Sequence, residues 1–252
     1  EDTALAITGL SVNDVDGNLA TTQLSVTNGT VTVSLAGGAT ISAGTNGTST
    51  LTLSGTQAQI NAALGTVSYQ GTANYNGADT LTVLSTDSAG TPLSDSDTVA
   101  ITVSAVNDAP VNTAPATVST NEDTALAFTG GNLISVSDVD GNLSSITLSV
   151  ENGTLLVTLS GGATIDPTGG ANGTSSFRLT GTQADINATL ASLSYTPGSG
   201  FYGTDYLSLF TDDSDNFYDD SLITIRVLDA PSISAISDDE GPSTGALADE
   251  DS

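Results

Sequence analysis

Thr27-Asn28-Gly29-Thr30-Val31-Thr32-Val33-Ser34-Leu35 alternates apolar and polar side chains after an Asn-Gly step. It returns as Glu151-Asn152-Gly153-Thr154-Leu155-Leu156-Val157-Thr158-Leu159. Alternation with a period of two marks a half-buried strand. Asn-Gly between two such runs supplies the positive φ angles of a type I′ turn, so a tight hairpin is expected at each copy. Asn46-Gly47 and Asn172-Gly173 read as looser turns in Gly/Ser/Thr-rich loops. With turn residues punctuating every short run, each copy holds about seven or more strands, which favours an antiparallel sandwich over a barrel.

The duplication extends well beyond this stretch. Glu1-Asp2-Thr3-Ala4-Leu5 returns at Glu122, Asp14-Val15-Asp16-Gly17-Asn18-Leu19 at Asp138, and Gly55-Thr56-Gln57-Ala58 at Gly181. The offsets are 121 (1 to 122), 124 (14 to 138) and 126 (55 to 181) residues. So long a period is one whole domain, not one turn of a solenoid. The expected organisation is therefore a tandem: residues 1–108 as a first repeat whose opening strand is cut short, 109–230 as a second, and 231–252 as the start of a third. Each repeat is large enough to bury its own core.

Composition narrows the function. The chain has 29 acidic and 2 basic residues, a formal net charge of -27, and no His, Cys, Met or Trp. Nucleic acid and anionic membrane surfaces would repel it. Outside the last twenty residues disorder does not fit, because apolar residues make up 37% of the chain and recur in alternation. Without cysteine there are no disulfides, zinc-thiolate sites or thiol nucleophiles. The chain opens at Glu1 and shows no leader or membrane-spanning run, so it reads as a piece of something longer.

One helical segment interrupts the strands of each repeat. Thr56 to Leu64 places Ile60 and Leu64 four apart with Thr56 able to cap, and Thr182 to Leu190 repeats this with Ile186 and Leu190. It reads as a plug over one edge of the sandwich. The linker Val106-Asn107-Asp108-Ala109-Pro110 is stiffened by its proline, and Leu228-Asp229-Ala230-Pro231 is its counterpart.

Acids avoid the strands and gather in loops: Asp14/Asp16, Asp87 to Asp97, Asn107/Asp108, Glu122/Asp123, Asp138/Asp140 and Asp212 to Asp220. Two carboxylates at about 4 Å repel by about 1 to 4 kcal/mol, depending on exposure. Arg178 and Arg226 are too few to neutralise these clusters.

The string Asn74-Tyr75-Asn76-Gly77-Ala78-Asp79 to Val103, then Val106-Asn107-Asp108-Ala109-Pro110 and Asn121-Glu122-Asp123-Thr124, resembles the bacterial cadherin-like repeats. These are tandem immunoglobulin-like modules of very large secreted, RTX-type adhesins exported by type I secretion. The Thr-Gln-Ala-Asp-Ile-Asn stretch also looks like the related chondroitin-sulfate-proteoglycan repeats. The resemblance implies an extracellular, non-enzymatic, bacterial module. It also implies calcium at the junction between modules, as in animal cadherins.

Calcium takes six to eight oxygens from carboxylates, carbonyls, amides and water. Asp138-Val139-Asp140-Gly141-Asn142 offers that chemistry, with alternate acids facing one way and a glycine for the turn. It is not an EF-hand, because Val150 stands near where the bidentate Glu belongs. In an immunoglobulin-like sandwich, assignment by the repeat puts Asp138, Asp140 and Asp213 at one pole of the second unit. Glu1 and Asp2 fall at the facing pole of the first, with Asn107 and Asp108 between. By the same logic Asp14, Asp16 and Asp87 form one half-site, and Glu122, Asp123 and Asp229 another. The alternative is a merely solvated, salt-adapted surface, but that would scatter acids along strand faces too. Asp215, Asp219 and Asp220 stay open between a second site and solvation.

With no His, Cys or Lys to serve a nucleophile, the only catalytic routes left use carboxylates, and a glycosidase cleft would need aromatic sugar platforms in a chain that is 4% aromatic. Tyr69, Tyr75, Phe201 and Tyr206 read as core aromatics. Tyr202, Phe217 and Tyr218 flank the acidic loop of the second unit without counterparts in the first, so they are the place to seek a bound sugar or peptide. Arg178 and Arg226 are expected to pair with acids on strand faces. The leading expectation is a calcium-stiffened extender of a large bacterial surface adhesin, serving adhesion or biofilm formation, with neighbouring repeats as its partners. The alternative is a module that itself touches a glycan, a protein or a second copy.

Overall fold

The computed structural model describes residues 1–229 of the chain. The expected opening of a third repeat at 231–252 lies outside the described residues. Two compact units are present, Glu1–Asn107 and a second beginning at Asp108. Unit 1 comprises β1 (Leu5–Ala6), β2 (Leu19–Ser25), β3 (Gly29–Thr32), β4 (Thr40–Gly44), β5 (Thr50–Ser54), α1 (Gln57–Leu64), β6 (Ser68–Gly71), β7 (Gly77–Asp87) and β8 (Ser94–Val103). Unit 2 comprises β9 (Val111–Thr113), β10 (Thr117–Asn121), β11 (Leu126–Ala127), β12 (Ser135–Ser137), β13 (Leu143–Ser149), β14 (Gly153–Leu156) and β15 (Thr164–Asp166). It continues with β16 (Ser176–Thr180), α2 (Gln183–Leu190), β17 (Ser194–Pro197), β18 (Gly203–Asp213) and β19 (Tyr218–Leu228).

Each unit is all-β apart from its α-helix and, in unit 2, two 3-10 turns at Gly130–Asn132 and Pro167–Gly169. Unit 1 pairs a sheet β4-β5-β2-β7-β8 with a sheet β1-β6-β3, and unit 2 pairs β10-β19-β18-β13-β16-β15 with β11-β17-β14. A short pair, β9 and β12, is added in unit 2. The pairings are antiparallel except β10 with β19, which run parallel. In each unit one core joins both sheets. In unit 2 Leu148 and Leu207 of one sheet, Leu155 and Tyr195 of the other, and Ile186 of α2 share it. In unit 1 Leu24, Leu81, Val31, Tyr69 and Ile60 do the same.

The expected hairpin at Asn28-Gly29 is not there. β2 and β3 lie in different sheets, so the segment crosses the sandwich, and β13 and β14 repeat this. None of Asn28, Gly29, Asn152 or Gly153 takes a positive φ. A buried carboxylate holds the crossing instead. Asp79 accepts the N–H groups of Thr27 (3.2 Å) and Asn28 (2.9 Å), and Asp205 accepts those of Glu151 (3.1 Å) and Asn152 (3.0 Å). The glycine serves close packing. A Cβ at Gly153 would stand 2.4 Å from the Tyr195 ring and 2.6 Å from the Thr196 carbonyl oxygen.

The helices fall where the sequence puts them. Thr56 caps α1 in a reciprocal capping box with Gln59, and Thr182 caps α2. Ile60 and Leu64, and Ile186 and Leu190, are fully buried. Each helix therefore closes the gap between sheets, since the strands before and after it belong to different ones.

Candidate functional site

The acidic loops of each unit are assembled by short side-chain bonds to backbone. Asp14 Oδ1 accepts the N–H groups of Asp16 (2.9 Å) and Gly17 (3.0 Å), and Asp138 Oδ1 repeats this with Asp140 (2.9 Å) and Gly141 (3.0 Å). Gly17 and Gly141 sit at φ of 70° and 72°, a left-handed turn that glycine enters without steric cost. Such self-bonding is what Asp brings to a turn.

Helix residues fix where that turn stands. Gln57 and Asn61, four apart, lie on one face of α1. Gln57 Oε1 accepts the Asp14 N–H at 2.9 Å. The Asn61 amide accepts the Val12 N–H (2.8 Å) and donates to the Val12 carbonyl (2.9 Å), imitating a neighbouring strand. Gln183 does the same for Asp138 (2.8 Å), and Asn187 brackets Val136 with two bonds of 2.8 Å. The helix is thus more than a plug. The Gln-x-x-x-Asn spacing, present in both units, was the signal that could have shown it.

A second acidic loop meets the first. Asp87 Oδ1 accepts from Ala89 (3.1 Å) and Leu93 (2.9 Å), and Asp213 Oδ1 from Asp215 (2.8 Å) and Phe217 (2.9 Å). Ser88 donates its N–H to the Asn18 carbonyl at 2.9 Å, and Ser214 to that of Asn142 at 3.1 Å, tying the two loops together. Leu19 faces Asp87 and Leu143 faces Asp213 across register shifts, which end the ladders at this pole. Asp14, Asp16 and Asp87 thus share a pole in unit 1, as Asp138, Asp140 and Asp213 do in unit 2. Asp108 joins the latter group by donating its N–H to Asp140 Oδ2 at 2.8 Å.

The burial of Asp138 is the unusual feature. The residue is 8% exposed, and its Oδ2 is buried without a hydrogen-bond partner. Leaving a buried carboxylate oxygen unsatisfied costs about 1 to 3 kcal/mol or more. Among the described residues no three acidic side chains converge closely enough to hold a metal ion as they stand. The fit to calcium therefore rests on donor chemistry and on this orphaned oxygen. Asp14, Asp138, Asp87 and Asp213 each commit Oδ1 to the backbone of their loop, and of these four it is the Oδ2 of Asp138 that is buried without a partner.

The remaining acids go elsewhere. The Glu1 nitrogen donates to the Ser104 carbonyl at 3.1 Å, beyond the end of β8, and Asp2 is exposed beside it. Asn107 closes unit 1. In unit 2 the Glu122 N–H donates to the Leu228 carbonyl at 2.8 Å, Asp123 Oδ1 accepts from Gly200 at 3.0 Å, and Asp229 follows exposed. These lie at the ends of β8 and β19 remote from Asp87 and Asp213. Asp219 has a structural role within unit 2. Its Oδ2 accepts the Asn112 N–H at 2.7 Å and anchors β9. Asp215 accepts from the Asn142 amide at 2.9 Å. In unit 1, Asp14, Asp16, Asp87 and Asp95 border an open cleft of about 280 Å³.

The aromatic trio is not one site. Tyr202, 62% exposed, precedes β18, while Phe217 and Tyr218 stand at the far end of that hairpin, about ten residues or roughly 30 Å along the strand. Tyr206 was expected in the core. Instead it is 43% exposed, because it falls on the outward-facing set of β18, between the buried Asp205 and Leu207. Of the two arginines, Arg178 pairs with Asp212 at 3.0 Å, whereas Arg226 is exposed and forms no ion pair among the described residues.

Comparison with known proteins follows the division into units. Residues 106–196 match the family described as Cadherin-like domain, and residues 9–95 match the Protein GAMETE EXPRESSED 2 domain. No curated protein sequence matches the chain. Among solved structures, the protocadherin Gamma B2 extracellular cadherin domains 1-5 are similar at 14% identity and a TM-score of 0.34, over 88% of this chain and 35% of that one. The fibronectin(III)-like modules of Clostridium thermocellum CbhA are similar at 15% identity and a TM-score of 0.27, over 90% of this chain and 95% of that one. The chain thus spans about a third of the protocadherin it resembles. Within the described residues no helix is long and apolar enough to cross a membrane.

Proposed function

We propose that the chain is a pair of non-enzymatic, adhesion-type extracellular modules whose acidic poles bind Ca2+. The orphaned, buried Oδ2 of Asp138 carries this reading. A divalent cation is the partner that would compensate it in a chain of net charge -27 with no lysine. In unit 2 the proposed ligands are Asp108, Asp138, Asp140 and Asp213, and in unit 1 Asp14, Asp16 and Asp87. Glu1, Asp2 and Asn107, and Glu122, Asp123 and Asp229, are proposed ligands at the other poles. When bound, the ion would supply positive charge that draws the carboxylates inward against their mutual repulsion. The Asp108 to Asp140 bond would then be held and the Asn107 to Pro110 segment stiffened.

The cadherin-like match over 106–196 supports the adhesion reading. The sequence resemblance to RTX-type adhesin repeats supports its finer form, a spacer in a large secreted bacterial adhesin. Extracellular calcium modules bind at about 10⁻⁴ to 10⁻³ M, and at about 100 times the dissociation constant each site adds about 2.7 kcal/mol of stability. Thermal unfolding in millimolar calcium and in chelator tests this. The midpoint is expected to rise with calcium but not with equal ionic strength of sodium, and coincident midpoints would contradict it.

A further inference from the structure

The outward face of β18 and β19 carries side chains that the fold itself does not require. Tyr206, Phe210, Tyr218 and Leu222 are each 42 to 59% exposed. Phe210 and Tyr218 stack with ring centroids 5.2 Å apart at 27°. Each ring of that pair stands directly across from a carboxylate: Phe210 is opposite Asp220, and Tyr218 opposite Asp212. In unit 1 the same register positions hold Leu84 and Ser96, Ser94 and Thr86. The same sandwich therefore closes with neither rings nor charge there.

The face already binds one cation of its own. Arg178 Nη2 meets Asp212 Oδ2 at 3.0 Å, and Arg178 Nε donates to Ser145 Oγ at 2.7 Å. Thr52 stands at the unit 1 position of Arg178, so this pair too is confined to unit 2. Asp220, exposed beside the stacked rings, has no cation among the described residues. Aromatic faces attract guanidinium and ammonium groups through the ring quadrupole, and a carboxylate alongside adds directional hydrogen bonds.

We propose that this face docks a basic segment of a different protein, seating an arginine or lysine between Asp220 and the Phe210–Tyr218 pair. Charge decides among occupants. Anionic partners are repelled, and a second copy would bring a further net charge of -27 with only two arginines, one of them already committed. A neutral glycan would use the rings but would give Asp220 no ionic partner.

The test exploits the repeat. Phe210→Leu, Tyr218→Ser and Asp220→Ser together install the unit 1 residues at positions where that sandwich tolerates them. Fluorescence anisotropy would follow a labelled peptide of three arginines spaced by Gly-Ser, its glutamine-for-arginine twin, and a neutral oligosaccharide. Wild type is expected to bind the arginine peptide in a salt-sensitive manner and to ignore the twin. The triple variant is expected to lose about tenfold in affinity, the sum of one cation–π contact and one exposed ion pair. Glu151→Gln, which removes one exposed acid elsewhere, is expected to change affinity less than about twofold. Equal affinity of wild type and triple variant would overturn the proposal, as would ring-dependent binding of the oligosaccharide alone. Should the triple variant fail to fold, Asp220→Ser alone is expected to lose about threefold, the share of one exposed ion pair, and affinity equal to wild type would overturn the proposal.

Discussion

Tyr195 donates its hydroxyl to Asp205 Oδ2 at 2.8 Å, and neither residue has any exposed surface. The bond joins the two sheets of unit 2, and unit 1 repeats it between Tyr69 and Asp79 at 3.0 Å. The carboxylate also receives the N–H groups of Glu151, Asn152 and Tyr206. A buried anion is tolerable only when so fully hydrogen-bonded.

Asp205→Ala would leave the crossing N–H groups and the tyrosine hydroxyl without their acceptor. Unit 2 is expected to lose about 3 kcal/mol or more, since each such bond is to a charged group. Urea unfolding followed by far-ultraviolet circular dichroism measures it. A loss under about 1 kcal/mol would mean that water or a rotated carbonyl replaces the carboxylate.

The unit 1 pair sets a pH dependence with two edges. Burial works against ionisation of Asp79, but the N–H groups of Asn28, Thr80 and Thr27 and the Tyr69 hydroxyl outweigh it and hold the carboxyl below its usual range. Its contribution is present above the unfolded value near pH 4 and is lost as pH falls through the lower folded value. Burial, then the bond to Asp79, pushes Tyr69 up to about 12. That contribution is complete below the unfolded value of about 10 and is lost as pH rises through the folded one. Unfolding midpoints are expected to fall at both edges, and Tyr69→Phe should flatten the alkaline one.

Gly153→Ala is expected to cost about 2 kcal/mol, because its Cβ meets the Tyr195 ring and the Thr196 carbonyl rather than empty space. At Gly141, φ of 72° and open surroundings make backbone strain the only penalty, so Gly141→Ala should cost about 1 kcal/mol. The ranking, read from unfolding free energies, separates crowding from turn strain.

These glycines mark where sequence reading stopped. Period-two alternation and the 121 to 126 residue offsets make the all-β tandem legible, and the spacing of Ile60 with Leu64 gives the helix. An Asn-Gly step between two strands carries no information about whether they share a sheet. The acceptor that holds Asn28-Gly29 across the sandwich is Asp79, far along the chain. Acids grouped by the repeat do gather at poles, because strand ends must be loops. Tyr206 went astray because its neighbours are apolar, whereas its facing depends on strand register. Tyr202 and Tyr218 are close in the sequence, but an antiparallel hairpin holds them at opposite ends.

Asn187→Ala removes both bonds that bracket Val136 and leaves α2 otherwise unchanged. A cost of about 1 to 2 kcal/mol is expected. Hydrogen exchange at the Val136 and Asp138 amides should quicken more than at Leu148 in the neighbouring sheet. Uniform quickening would show that the helix clamps the whole unit and not the acidic loop.

Asp138→Asn is the sharpest probe of the acidic pole, because asparagine keeps the Oδ1 acceptor for Asp140 and Gly141 and replaces only the orphaned Oδ2. Isothermal titration of calcium into wild type and this variant reads the ion directly. Saturable binding at about 10⁻⁴ to 10⁻³ M is predicted for wild type, with at least one site lost in the variant while its calcium-free stability holds or rises. Superimposable isotherms, or no saturable heat from wild type, would contradict a calcium-binding pole.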